Sequence, residues 1–179
     1  MGRHGDQSGL HHLMANLIAT YTPGANRSDF TGTMGLKFRY MGTTGLLVSA
    51  LGRNAILGDT GTKVVYLSTD SGPSTLLSSA SVDLTGSIPG TFYYASCAPF
   101  ALVSGTNYLL WSPVVNGVVF HDFSGCSCAA ADTLTGVYST ITGPPWASWS
   151  TFGASGMYVG VDLVYGPASG NASSFFFGA

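Results

Sequence analysis

Few residues in this 179-residue chain have the types or spacing that chemistry requires. Four histidines occur: His4, His11, His12 and His121. Nucleophilic catalysis needs a Ser or Cys, a base within reach and a third group to orient the base. Only His121 falls in a strand-like run, beside Asp122, and neighbours on a strand point to opposite faces, so these two do not pair directly. All eight acidic residues are Asp, mostly beside Gly, Ser or Thr in turn-like stretches. Turn aspartates such as Asp59 and Asp70 usually bond their own backbone. No pair reads as the two carboxyl groups that flank a bond in a glycosidase. A nucleotide-binding Gly-rich loop and an EF-hand loop are both absent. The residues read as a non-enzyme, with no catalytic residue, cofactor or metal site expected.

Three cysteines, Cys97, Cys126 and Cys128, make an odd count. Cys126 and Cys128 supply too few ligands for a closed zinc site unless a histidine such as His121 joins them. A bridge from Cys97 to one of them and a set of buried or loop thiols are both open. Aromatic residues are the better candidates for binding. Trp146 and Trp149 lie three apart in the loop-like stretch 143–150, where exposed rings would stack on the apolar faces of a glycan. The alternative is that the loop folds its aromatics over the open end of a core. Trp111, on a strand, is expected in the core. Phe175, Phe176 and Phe177 alternate faces if extended, so one sheet cannot bury all three. They form either a final edge strand folded onto its own core or an anchor that docks into a neighbouring subunit.

The elements that would position these residues follow a period of two. Leu36, Phe38 and Tyr40 alternate with Lys37 and Arg39, a half-buried strand. Further strand-like runs cover 47–51, 63–68, 79–84, 92–94, 108–111, 118–123, 137–141 and 157–165. In the last of these, Met157, Val159, Val161, Leu163 and Tyr165 share a face. Between the runs lie stretches such as Gly58-Asp59-Thr60-Gly61 and Ser104-Gly105-Thr106-Asn107, which carry turn chemistry. About nine short strands predict an all-β fold, an antiparallel β-sandwich of jelly-roll or Ig-like type. Residues 1–26 differ from the rest and read as an N-terminal arm or short helix, with a turn at Tyr21-Thr22-Pro23-Gly24. The sandwich is expected over 27–167 and an apolar tail over 168–179.

Composition narrows the class of function. Apolar residues make up 45% of the chain, which argues against disorder. Six basic groups against eight acidic ones leave no basic patch for a phosphate backbone, so no nucleic-acid partner is expected. No run of 18 apolar residues occurs, so no membrane partner is expected either. Charged residues are only 8% of the chain, and such a surface has little repulsion to keep neighbours apart. It suits a protein held permanently against partners, or one that touches sugars.

One series of segments is more specific. It starts at Arg27-Ser28-Asp29-Phe30-Thr31-Gly32-Thr33-Met34-Gly35-Leu36-Lys37-Phe38 and continues through Val48-Ser49-Ala50-Leu51-Gly52-Arg53 and Lys63-Val64-Val65-Tyr66-Leu67. Then come Ala80-Ser81-Val82-Asp83-Leu84-Thr85-Gly86, Thr91-Phe92-Tyr93-Tyr94-Ala95 and Leu102-Val103-Ser104-Gly105-Thr106-Asn107-Tyr108. Together with Val164-Tyr165-Gly166-Pro167, the series resembles a family of bacterial β-sandwich accessory domains of undetermined function (DUF4082-like). The resemblance covers roughly 27–167. It implies a sandwich related to modules found beside glycoside hydrolases, in surface proteins and in phage structural proteins, and it carries no catalytic motif. The segments outside it are 1–26, the Cys-Ser-Cys stretch, the Trp loop and the Phe-rich tail.

These readings converge on a structural or adhesion protein. The leading expectation is a tailed-phage virion component (head decoration, fibre or tail appendage), with other virion proteins and copies of itself as partners and host surface glycan as a further one. The first residues show no apolar run of signal-peptide type, which fits release by lysis and a virion location. The alternative expectation is an extracellular carbohydrate-binding module of a secreted glycan-active enzyme.

Overall fold

Leu36, Phe38 and Tyr40 are buried and Arg39 between them is exposed, so the alternation read from the sequence is that of a real strand. A computed structural model describes residues 14–29, 31–43, 45–70, 75–115, 120–128, 134–135, 139–143, 150–154 and 160–168. It contains strands and no helix among these residues. The strands are β1 (Ala15–Asn16), β2 (Ile18–Arg27), β3 (Gly32–Tyr40), β4 (Leu46–Asn54), β5 (Thr62–Thr69), β6 (Leu76–Asp83) and β7 (Phe92–Leu102). They continue with β8 (Asn107–Val114), β9 (Phe120–Cys128), β10 (Leu134–Thr135), β11 (Ser139–Gly143), β12 (Ser150–Ala154) and β13 (Val161–Pro167). Each of the nine expected strands has a counterpart here; β1, β2, β10 and β12 are additional.

One sheet has the order β1-β13-β4-β7 and the other β12-β11-β3-β8-β5-β6, with β10 also paired to β3. Every pairing is antiparallel. Taking β1, β3, β4, β5, β6, β7, β8 and β13 as eight consecutive strands, the sheets read 1-8-3-6 and 2-7-4-5. That wiring is a jelly roll, two sheets joined by Greek-key connections. An Ig-like sandwich groups its strands differently. The connection from β8 to β13 carries four strands of its own: β10 and β11 add to the free edge of β3, β12 adds to β11, and β9 forms a ribbon with β2.

The core lies between the two sheets. Leu36, Phe38, Leu67, Leu110, Leu51 and Leu163 are fully buried there, and Phe38 stacks on Tyr108 with centroids 5.4 Å apart. The two ends of the sandwich are made by different sets of loops. At one end, the β3–β4, β5–β6 and β7–β8 connections meet: Tyr40 N–H donates to Thr106 O and Tyr40 O accepts from Gly105 N–H, both in the β7–β8 turn, and Asp70 N–H donates to Asn107 O. Gly105 holds φ +77°, a left-handed conformation at which a side chain would be strained. At the opposite, far end, the β4–β5 and β6–β7 loops bond each other through Ala55, Gly90, Thr91, Gly61 and Leu84.

Residues 15–26 depart from the expected arm or short helix. From Ala15 the chain is extended, because its apolar residues are spent on the sandwich. Leu17 is fully buried, its N–H donates to Leu163 O at 3.0 Å, and Asn16 pairs with Val164. The expected turn at Pro23-Gly24 lies inside β2, at an irregularity in its pairing with β9. Proline has no N–H to give a ladder, so it falls where the ladder breaks. Met14 Sδ sits against Gly166, and Ala168 N–H donates to Gly45 O, so the chain reaches β1 and leaves β13 at the same end of the sandwich. We call it the terminal end.

If β1 is integral, shortening Leu17 to Ala should cost about 2–4 kcal/mol, the range for truncating a buried leucine. Urea unfolding of the Leu17→Ala chain measures this; a loss below about 0.5 kcal/mol would mean that this segment lies outside the folding unit.

Candidate functional site

Trp146 and Trp149, the candidate glycan-stacking pair, and Phe175, Phe176 and Phe177, the candidate anchor, lie outside the described residues. So do residues 1–13, with three of the four histidines, and Met157 and Val159 of the last expected strand. Of the cysteines, Cys97 on β7 is a free, half-buried thiol; burial pushes its pKa up, away from the reactive thiolate. Among the described residues no three His, Cys, Asp or Glu side chains converge as metal ligands. Three other places hold unusual chemistry.

The first is on the outer face of the β1-β13-β4-β7 sheet. Val161 and Leu163 point inward, so Asp162 between them emerges on the opposite side of β13. Across the sheet Asp162 pairs with Gly52, and Gly52 with Tyr94, which aligns a carboxyl, a bare backbone and a phenol in one row. The Tyr94 ring occupies the place of the missing side chain: a Cβ at Gly52 would lie 2.5 Å from its ring carbons. The Tyr94 hydroxyl donates to Asp162 Oδ2 at 2.7 Å and accepts from Asn16 Nδ2 at 2.9 Å. Asp162 Oδ1 accepts the N–H groups of Ile18 at 3.0 Å and Leu163 at 2.8 Å.

Burial raises the Asp162 pKa to about 7, the desolvation cost of the charge outweighing these hydrogen bonds. The same burial, together with the nearby carboxylate, raises Tyr94 above the ordinary phenol range. A carboxyl that titrates near neutrality suits acid–base catalysis. This one is 1% exposed and its oxygens are spent on backbone amides and a phenol, so it serves as a fastener. It ties the crossing from β1 to β2 onto the sheet.

The second place is at the far end. Beyond a bulge between Val48 and Ala50, Leu51, Arg53 and Ala55 share the inward face of β4. Arg53 is 2% exposed, and its Nε and Nη1 have no hydrogen-bond partner among the described residues. Burial lowers its pKa to about 10, partly offset by the charge of Asp59. Asp59 is itself buried and faces Lys63 Nζ at 3.3 Å. Sequence reasoning took Asp59 for a turn residue bonded to its own backbone; its carboxylate makes no such bond among the described residues and is an internal counter-charge for Arg53 and Lys63.

The third place is a cleft of about 350 Å³ on the outer face of the other sheet, near the far end. Its floor is Trp111, stacked on Tyr66 at 4.3 Å and held by its indole N–H on Ser68 Oγ at 3.0 Å. Thr31, Thr33, Pro113 and Val115 form its sides. Trp111 is buried as expected, but with Leu109 and Tyr66 in a cluster separate from the main core. The cause is parity: Tyr108 and Leu110 point between the sheets, which turns Leu109 and Trp111 outward. Gly35 opposite Trp111 leaves no space for a side chain, since a Cβ there would lie 2.0 Å from Leu110 O.

No family model, curated protein or solved structure matches this chain. The jelly roll and these three places are therefore what a functional reading has to work with. Asp162 was legible only as the odd polar residue in an apolar alternation, and nothing in the spacing announced its partners.

Two predictions follow from the buried charges. In the folded chain Asp162 has a raised pKa, so its contribution to stability is complete below about pH 4 and is lost as pH rises to about 7. Asparagine keeps an acceptor for Ile18 and Leu163 and cannot ionise, so Asp162→Asn should flatten the melting temperature across that window. An unchanged pH dependence would locate the titration elsewhere. At the far end, Asp59→Asn should destabilise by roughly 3 kcal/mol, because it strands the buried Arg53 cation, whereas Arg53→Met should cost less, because Lys63 still faces Asp59. Denaturant unfolding of the two variants checks that order.

Proposed function

We propose that this chain is a non-enzymatic structural and adhesion protein, a virion component of the tailed-phage type (decoration protein, fibre or appendage) that assembles with copies of itself and with other virion proteins. The observation that carries this reading is the distribution of exposed apolar residues. All seven large ones among the described residues sit at the two ends of the jelly roll. Met14, Met41, Leu76 and Val103 are at the terminal end, and Leu57, Ile88 and Val115 at the far end. Scattered exposed apolar residues are ordinary, but confinement to two opposite ends is the pattern expected of a block with neighbours along its axis. A chain with only 8% charged residues adds little repulsion against such contacts. Jelly rolls recur in viral capsid and lectin domains, and the resemblance of residues 27–167 to accessory domains that also occur in phage structural proteins points the same way.

Light scattering coupled to size exclusion, over a range of protein concentrations, tests this. The expected result is a discrete oligomer or an extending assembly. A monomer at every concentration that co-sediments with insoluble polysaccharide would overturn it in favour of a carbohydrate-binding module.

A further inference from the structure

Resting on the assembly reading above, we propose that the Tyr66–Trp111 cleft of one copy is the docking site for Phe175–Phe177 of the next copy, so that the chain assembles head to tail. The cleft suits an aromatic occupant. Its floor is two stacked rings, its sides carry Pro113 and Val115 beside Thr31 and Thr33, and the Trp111 indole N–H at its floor already donates to Ser68. Val115, exposed at the rim, extends this apolar surface outward. A sugar would find few free partners for its hydroxyls here, whereas a phenyl ring needs none.

The position of the last described residue decides which copy supplies the rings. Ala168 is fixed to Gly45 at the terminal end, while the cleft is bounded by Thr31, Gly32 and Thr33, where β3 begins at the far end. Along β3 this separation is about 25 Å, and passing from one sheet to the outer face of the other adds at least the sheet spacing of about 10 Å. A path around the sandwich is therefore roughly 35 Å or more. Phe175 and Phe177 are seven and nine residues beyond Ala168 and reach about 25 and about 31 Å fully extended. The segment falls short of its own cleft, yet it leaves from the end that would meet the far end of a copy stacked along the axis. The contact is heterologous, one surface against a different one, and so repeats from copy to copy.

The test uses the full chain with Phe175→Ser, Phe176→Ser and Phe177→Ser as receptor, and a labelled peptide of residues 169–179 as probe, read by fluorescence anisotropy. Saturable binding is expected, weakened about tenfold or more by Val115→Asp or by Thr31→Lys at the cleft rim, as for loss of a central contact. A peptide with the three phenylalanines changed to serine should not bind. Both rim variants lie on exposed positions, and their melting curves verify that they fold. Absent binding, or binding that ignores both rim changes, overturns the proposal. Light scattering on the same variants separates it from the assembly reading. If the triple-serine chain assembles as the unmodified chain does, the docking falls and the assembly stands. If Val115→Asp alone abolishes assembly, another surface of the second copy occupies the cleft, which also overturns the tail as occupant. An unmodified chain that stays monomeric at every concentration overturns both, since no copy then holds the tail of another in its cleft.

Discussion

The structure depends on the insertion of β13 between β1 and β4. Antiparallel pairing from Val161 on Arg53 to Pro167 on Leu46 brings together segments that are far apart in the chain. It gives β1 its sheet partner among the described residues and turns β4 from an edge into an interior strand. The inward side chains of β13 complete the core, and its outward Asp162 completes the fastening of the segment that leads into β2. Each of these depends on the ladder being in register. A slip of one residue would turn Asp162 into the core and Leu163 out of it. Contacts of such separation also make a jelly roll slow to fold, since chain entropy is lost before the contacts return it.

The same constraint accounts for how the fold treats its buried polar groups. Asp162 is ringed by donors from three strands and a crossing, so its burial is compensated group by group. Arg53 is compensated chiefly by the charge of Asp59, which it shares with Lys63. The first arrangement fixes one geometry, because hydrogen bonds are directional; the second tolerates movement of the β4–β5 loop, because Coulomb attraction is not. The far end thus holds its β4–β5 loop less specifically than it holds the β1–β2 crossing, because Asp162 is the second residue of β13 from that end. It also presents Leu57 and Ile88, the two most exposed large apolar residues described.

How much of this was legible in the sequence follows from what alternation encodes. Period two states which side chains share a face, so the strand of Leu36, Phe38 and Tyr40 and the other eight were visible, with Gly-rich turns between them. Alternation does not state which strands are neighbours, and that is why jelly-roll and Ig-like wirings were equally open. It also failed for β2, where most side chains from Ala19 to Asn26 are exposed and no pattern marks the strand. Trp111 and Asp162 show the complementary limit. Both are buried, on outer faces, by residues remote in sequence: Tyr66 beside the first, Asn16, Ile18 and Tyr94 around the second. Sequence spacing holds no record of such cover.

A sandwich with two unlike ends is polar in the geometric sense, and this restricts how copies combine. Symmetric pairing of like ends would set Met41 and Val103 against themselves and leave the far-end residues of both copies in water. Stacking unlike ends covers both sets at once and repeats without limit unless the rotation per copy closes a ring. A fibre and a ring therefore differ only in the angle between neighbours, not in the contact itself. Met14 and Ala168 both lie at the terminal end, beside the pairing of β1 with β13. Under the proposed stacking, that end and the cleft it meets on the next copy would together set the assembly state.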